Sequence, residues 1–115
     1  MKIIDRNYPT WSKIMVSEIC KQYLDGLNEG NLEKVLSLFD TDAVVDSSLY
    51  GEMPATTFYT DLFADTSRSE TDLLNIFESV RGNSSVALHF HYSWTLNNGK
   101  LVEFECVDVF RNHTR

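Results

Sequence analysis

The stretch VALHFHYSWTLNNGKLVEFECVDVF, Val86 to Phe110, decides the fold. It reads as two strands joined at Asn98-Gly99, because Asn-Gly between alternating segments is the strongest short-range hairpin signal. In the first strand His89, His91, Ser93 and Thr95 point one way. Leu88, Phe90, Tyr92 and Trp94 point the other. Hydrophobicity puts the aromatic face inside, whereas a buried pair of histidines would mark a site. Patterning alone leaves both readings open, since alternation separates faces without saying which one is covered.

If Asn98 and Gly99 form a two-residue type I′ loop, Asn97 pairs with Lys100 and the ladder follows by counting outward. Ser93 then lies opposite Phe104, His91 opposite Cys106 and His89 opposite Asp108. In this register His89, His91 and Ser93 share a face with Val102, Phe104, Cys106, Asp108 and Phe110. Asp108 is the misfit of its strand, a carboxylate among apolar neighbours, which needs a partner, a proton or a solvated cavity. The register offers it His89.

Outward from the hairpin, the N-terminal half reads as helices. Trp11, Ile14, Met15, Ile19, Tyr23 and Leu27 recur at helical spacing, with Thr10 as the expected N-cap and Gly30 as the stop. Asn31 caps a second helix, LEKVLSLF. DAVVDSS reads as a strand, LYGEMP as a loop, and Pro54 opens a third helix, ATTFYTDLF. DLLNIFESV is a further strand, broken by RGNSS. Early helices and late antiparallel strands predict an α+β domain with the helices on one sheet face.

At 115 residues the chain is expected to be one domain, residues 1–115, with a real core. A net charge of −7 argues against nucleic acid or an anionic membrane as partner. No apolar run approaches the roughly 20 residues of a membrane helix, and the N-terminus lacks the apolar core of a signal peptide. Two cysteines, Cys20 and Cys106, form neither a disulfide framework nor a zinc motif. They read as reduced thiols in a cytoplasmic protein. Phosphate-binding glycine loops and nucleophile elbows are absent from the sequence.

Three segments resemble the nuclear transport factor 2-like superfamily, the α+β cone of ketosteroid isomerases and SnoaL-like polyketide cyclases. QYLDGLNEGNLEKVLSLFDTDAVV is similar to its opening helix pair and first strand, GEMPATTFYTDLF to its third helix, and VEFECVDVFR to its penultimate strand. The resemblance implies a cystatin-like cone: a curved antiparallel sheet with helices on its concave face. The resemblance implies one more strand after VEFECVDVFR, whereas the sequence given stops at RNHTR; a lost or truncated last strand would leave an open sheet edge.

The resemblance also implies site residues. Tyr23 falls at the oxyanion-hole tyrosine of ketosteroid isomerase, and Asp108 at its protonated aspartic acid. Tyr59 falls at a tyrosine that extends the same network. The family's general-base aspartate falls at Ser47, with Asp46 one residue earlier and turned away unless a bulge intervenes. The resemblance places His89, His91 and Ser93 in the cavity, beside Phe104 and Cys106. The face of Leu88, Phe90, Tyr92 and Trp94 is then the homodimer surface.

One functional expectation is therefore a small organic molecule in the cone and cyclase or isomerase chemistry. Tyr23 and Asp108 would stabilise oxyanion charge, and His89 or His91 would act as base. The other is a non-catalytic ligand-binding or dimeric scaffold, in which the same groups form a satisfied core network. A third reading, His89, His91 and Asp108 as a metal set, has only unspecific spacing behind it. No cofactor is expected.

Overall fold

A computed structural model describes residues 2–6, 13–48, 50–80 and 85–112. The elements are β1 (Lys2–Arg6), α1 (Lys13–Glu29), α2 (Leu32–Leu36), β2 (Val44–Ser47), β3 (Gly51–Pro54), α3 (Ala55–Ala64), β4 (Thr66–Glu78), β5 (Ser85–Leu96) and β6 (Leu101–Asn112). The strands form one sheet in the order β3-β2-β1-β6-β5-β4. It is antiparallel except where β1 runs parallel to β6. The α+β class and the curved sheet with helices on its concave face are as the sequence implied.

A local signal sets the start of α2. Asn31 caps α2 by accepting a bond from the Lys34 backbone N–H at 3.1 Å. Helices α1 and α2 meet closely at Gly26, where a Cβ would lie 2.6 Å from Val35 Cγ2. The core joins Cys20, Tyr23, Leu24 and Leu27 of α1, Val35 of α2, and Phe58, Tyr59 and Leu62 of α3 to the sheet. The expected cap at Thr10 lies outside the described residues.

The hairpin register differs from the two-residue expectation by one residue. Leu88 pairs with Asp108, His89 with Val107, Phe90 with Cys106, His91 with Glu105 and Ser93 with Glu103. The cause is the turn. A type I′ loop needs φ > 0 at Asn98, but among the described residues only glycines adopt positive φ, Gly99 with +85°. The Gly99 N–H donates to Leu96 O at 2.9 Å, and the Leu96 N–H donates to Lys100 O at 2.9 Å. These bonds define a three-residue loop with a left-handed glycine bulge. Asn97 is tied from its backbone N–H to Asp65 O at 3.1 Å and from its side-chain amide to Ala64 O. The end of α3 therefore holds the loop.

A one-residue slip exchanges faces along a whole strand. Leu88, Phe90, Tyr92 and Trp94 now share a face with Phe104, Cys106, Asp108 and Phe110, and that face is the concave one. These four side chains lie in the chain's own core, Leu88 and Phe90 with no exposure and Trp94 with 8%. This overturns the proposed dimer surface through Leu88, Phe90, Tyr92 and Trp94. The helices already cover it.

Three further differences concern other strands. Residues 51–54, read as loop, form β3, which pairs with β2 from Val44↔Pro54 to Ser47↔Gly51. β4 starts at Thr66, six residues before the expected strand. β1 was not foreseen, and it lies between β2 and β6, alongside Asp108–Asn112. The edge expected to be open at the end of β6 is therefore occupied there.

Candidate functional site

Three elements deliver the central residues. Tyr23 comes from the buried stripe of α1, Tyr59 from that of α3, and Asp108 from the concave face of β6. The Tyr23 hydroxyl donates to Asp108 Oδ2 at 2.7 Å and lies 2.9 Å from the Tyr59 hydroxyl. The Cys106 thiol donates to Asp108 Oδ1 at 3.2 Å. Tyr23, Tyr59 and Asp108 have no solvent exposure. Aromatic rings wall them in. Phe39 stacks between Tyr59 (5.8 Å) and Phe110 (6.0 Å), and Tyr23 meets Phe110 edge-on at 5.1 Å.

This environment holds the phenols neutral. Burial, followed by the nearby Asp108, pushes the Tyr23 hydroxyl well above its usual range. The same two causes act most strongly on Tyr59. Both remain hydrogen-bond donors at any ordinary pH.

The network continues along β5 and β4. Tyr92, on the concave face, lies with its hydroxyl 2.8 Å from Ser69 Oγ. Burial pushes the Tyr92 phenol up to about 12, partly offset by the Ser69 bond, with Asp108 and Cys106 adding smaller upward effects. Ser69 also lines a cleft of about 310 Å³ between the end of α1 (Leu27, Asn28) and the α3–β4 corner (Phe63, Thr66). Trp94 Nε1 donates to Thr66 Oγ1 at 2.8 Å nearby. Sequence reasoning assigned no site role to Tyr92 or Ser69. The correct hairpin register would have turned Tyr92 inward, opposite Phe104 and on the face of Cys106 and Asp108.

The remaining candidates separate from this group. His89 and His91 alternate with buried residues and occupy the convex face. The Asn75 amide donates to His89 Nδ1 at 3.1 Å, which leaves the Nε2–H to donate to Glu105 Oε1 at 3.0 Å. Ser93 donates to Glu103 Oε1 at 3.0 Å, also on the convex side. The expected contacts of His89 with Asp108 and of His91 with Cys106 do not form. The histidines are not placed to act on a molecule at Tyr23 and Asp108, and Ser93 does not line the cavity. Among the described residues no cluster of three His, Cys, Asp or Glu could hold a metal ion, and the new register removes the geometric basis for the metal set.

Ser47 shares the inward side of β2 with fully buried Val45 and is half-buried. It accepts from the Tyr50 backbone N–H at 3.4 Å. Asp46 is exposed and turned outward, and β2 pairs on both sides without a bulge. Phe104 and Cys106 do line the concave face. Phe104 is 39% exposed, Cys106 is half-buried, and the Phe104 ring lies 5.6 Å from that of Tyr92.

Comparison with known proteins agrees with this architecture. The SnoaL-like domain family matches residues 20–113. Among solved structures, an LEH-like epoxide hydrolase from M. tuberculosis superposes with a TM-score of 0.65 at 15% identity, over 84% of this chain and 71% of that one. A nuclear transport factor 2-like protein of unknown function from Exiguobacterium superposes with a TM-score of 0.62 at 10% identity, over 82% of this chain and 96% of that one. At these identities the likeness is one of fold. No curated protein matches the sequence.

Proposed function

The chain belongs to the SnoaL-like domain family, and from that premise we propose that it is a small-molecule-binding domain. Its ligand sits on the concave face over Tyr92, Phe104 and Cys106, above the Tyr23–Asp108–Tyr59 network. The observation that carries this reading is Asp108 itself. A carboxyl on an apolar face costs several kcal/mol unless it is hydrogen-bonded, by the usual penalty for burying such a group. Here two residues from different elements hold its two oxygens. The half-buried Cys106 and the partly exposed Phe104 lie on the same face, toward solvent.

Catalysis of the cyclase or isomerase type would need the neutral Tyr23 hydroxyl to turn its proton from Asp108 Oδ2 toward developing negative charge. The base would have to come from a group other than His89 and His91, since both face away. The fold neighbour described as an epoxide hydrolase is consistent with small-molecule chemistry on this architecture.

A second reading has its own observation. Tyr23, Tyr59 and Asp108 are fully buried and mutually bonded, as in a structural core network. NMR titration of the labelled chain with small aromatic molecules separates the two. Amide shifts concentrated at Tyr92, Cys106 and Asp108 are expected for the binding domain. No shifts, or shifts confined to other surfaces, favour the scaffold. We place the protein in the cytoplasm, on the strength of its two free thiols.

A further inference from the structure

Among the described residues, the two oxygens of Asp108 accept from two different side chains. Oδ2 faces inward to Tyr23, behind which stands Tyr59, and this side is sealed. Oδ1 accepts from Cys106, two residues along the same strand face, and Cys106 is half-buried where Asp108 is not exposed at all. Phe104, the next residue on that face, is more open still. A molecule approaching along the concave face therefore meets the Cys106 thiol before the carboxyl.

In both bonds Asp108 is the acceptor. The thiol is a weak donor, whereas hydroxyl and ammonium groups make shorter and stronger bonds to carboxylates. A carbonyl in the thiol's place would set acceptor against acceptor. We propose that the ligand of this site carries a hydrogen-bond donor, a hydroxyl or amine on a compact apolar body, which replaces the Cys106 thiol at Asp108 Oδ1. Cys106 is then the specificity-determining residue. Its thiol bonds to Oδ1 and yields to a better donor. The aromatic rings of Tyr92 and Phe104 suit the apolar body and tolerate a cation. This inference rests on the binding reading above and narrows it to donor-bearing ligands.

The test uses the full chain and three probes of matched shape: benzyl alcohol, benzylamine and benzaldehyde. Binding is followed by NMR shifts at Cys106 and Asp108 and by protection of Cys106 from iodoacetamide. Cys20 is an internal control, since burial raises its thiol to about 11. The alcohol or the amine should bind and slow Cys106 alkylation at least threefold, while benzaldehyde should not. Cys106→Ala, which removes the competing donor, should tighten alcohol or amine binding several-fold. Cys106→Ser, which supplies a stronger donor, should weaken it. Asp108→Asn should abolish the preference for donors. Equal or better binding of benzaldehyde at the same amides overturns this inference and leaves the binding reading intact. Equal affinities in Cys106→Ala and Cys106→Ser also overturn it. Failure of all three probes to bind overturns both.

Discussion

Tyr23 on α1 and Asp108 on β6, 85 positions apart in the chain, are joined by a 2.7 Å hydrogen bond inside the core. The bond ties the first long helix to the last described strand and fixes the carboxyl in the core. Removing it by Tyr23→Phe takes one donor from Asp108 and one neighbour from the Tyr59 hydroxyl. A bond to a buried carboxyl contributes about 1.5–3 kcal/mol. Urea denaturation of Tyr23→Phe should show a loss in that range, with the fold retained by circular dichroism.

The neutral phenols predict an alkaline limit. The folded Tyr92 hydroxyl titrates at about 12, and those of Tyr23 and Tyr59 higher than their usual range, whereas the unfolded chain loses these protons near 10. Above pH 10 the native state therefore binds more protons than the unfolded state, so stability falls as pH rises. Each such tyrosine contributes a slope of up to about 1.4 kcal/mol per pH unit between its unfolded and folded values. Denaturation midpoints should be insensitive to these groups below pH 9 and drop steeply above 10. The ultraviolet signal of tyrosinate should show Tyr23 and Tyr59 ionising only on unfolding.

Gly26 is set by contact. A methyl group there would sit 2.6 Å from Val35 Cγ2, where α1 and α2 cross. Gly26→Ala gains helix propensity but forces the helices apart, and overpacking of this kind costs about 1–3 kcal/mol. The expected outcome is a net loss of stability. A stabilised Gly26→Ala protein would show that the crossing yields easily.

Gly99 is set by conformation. At φ +85° a side chain costs about 1–2 kcal/mol. Gly99→Ala should destabilise by that amount and slow formation of the β5–β6 hairpin. Gly99→Asn, which tolerates the left-handed region better, should recover part of the loss. Thermal melts of the two variants give the comparison.

The convex histidines supply a negative control. His89 sits 3.0 Å from Glu105 on an outward face whose partner is 62% exposed. Partly exposed pairs of this kind contribute about 0–1 kcal/mol. His89→Ala and His91→Ala should leave probe binding at Cys106 and Asp108 unchanged, and stability within that range. Loss of binding in either variant would mean that the site extends through the sheet.

The helices, the hairpin and the grouping of Tyr23, Tyr59 and Asp108 were legible from helical spacing, Asn-Gly patterning and family resemblance. The register was not, because Asn-Gly serves both a two-residue loop with two left-handed residues and a three-residue loop with one. The choice lies in Asn97, whose bonds to Ala64 and Asp65 come from a helix end more than 30 residues away in the chain. That single residue moved Tyr92 into the site and the histidines out of it. The simple hydrophobic reading of LHFHYSW was the right one. β1 is not legible in the sequence for a related reason. Its five residues carry little local signal, and they pair with a strand at the opposite end of the sequence.

The register also offers the most direct test of the account, because the site depends on which residues face Asp108. Cross-strand nuclear Overhauser contacts in the labelled protein read it without reference to any ligand. Contacts linking Leu88 with Asp108, Phe90 with Cys106 and His91 with Glu105 are expected. Contacts linking His89 with Asp108 and His91 with Cys106 would contradict this register and would return the histidines to the concave face.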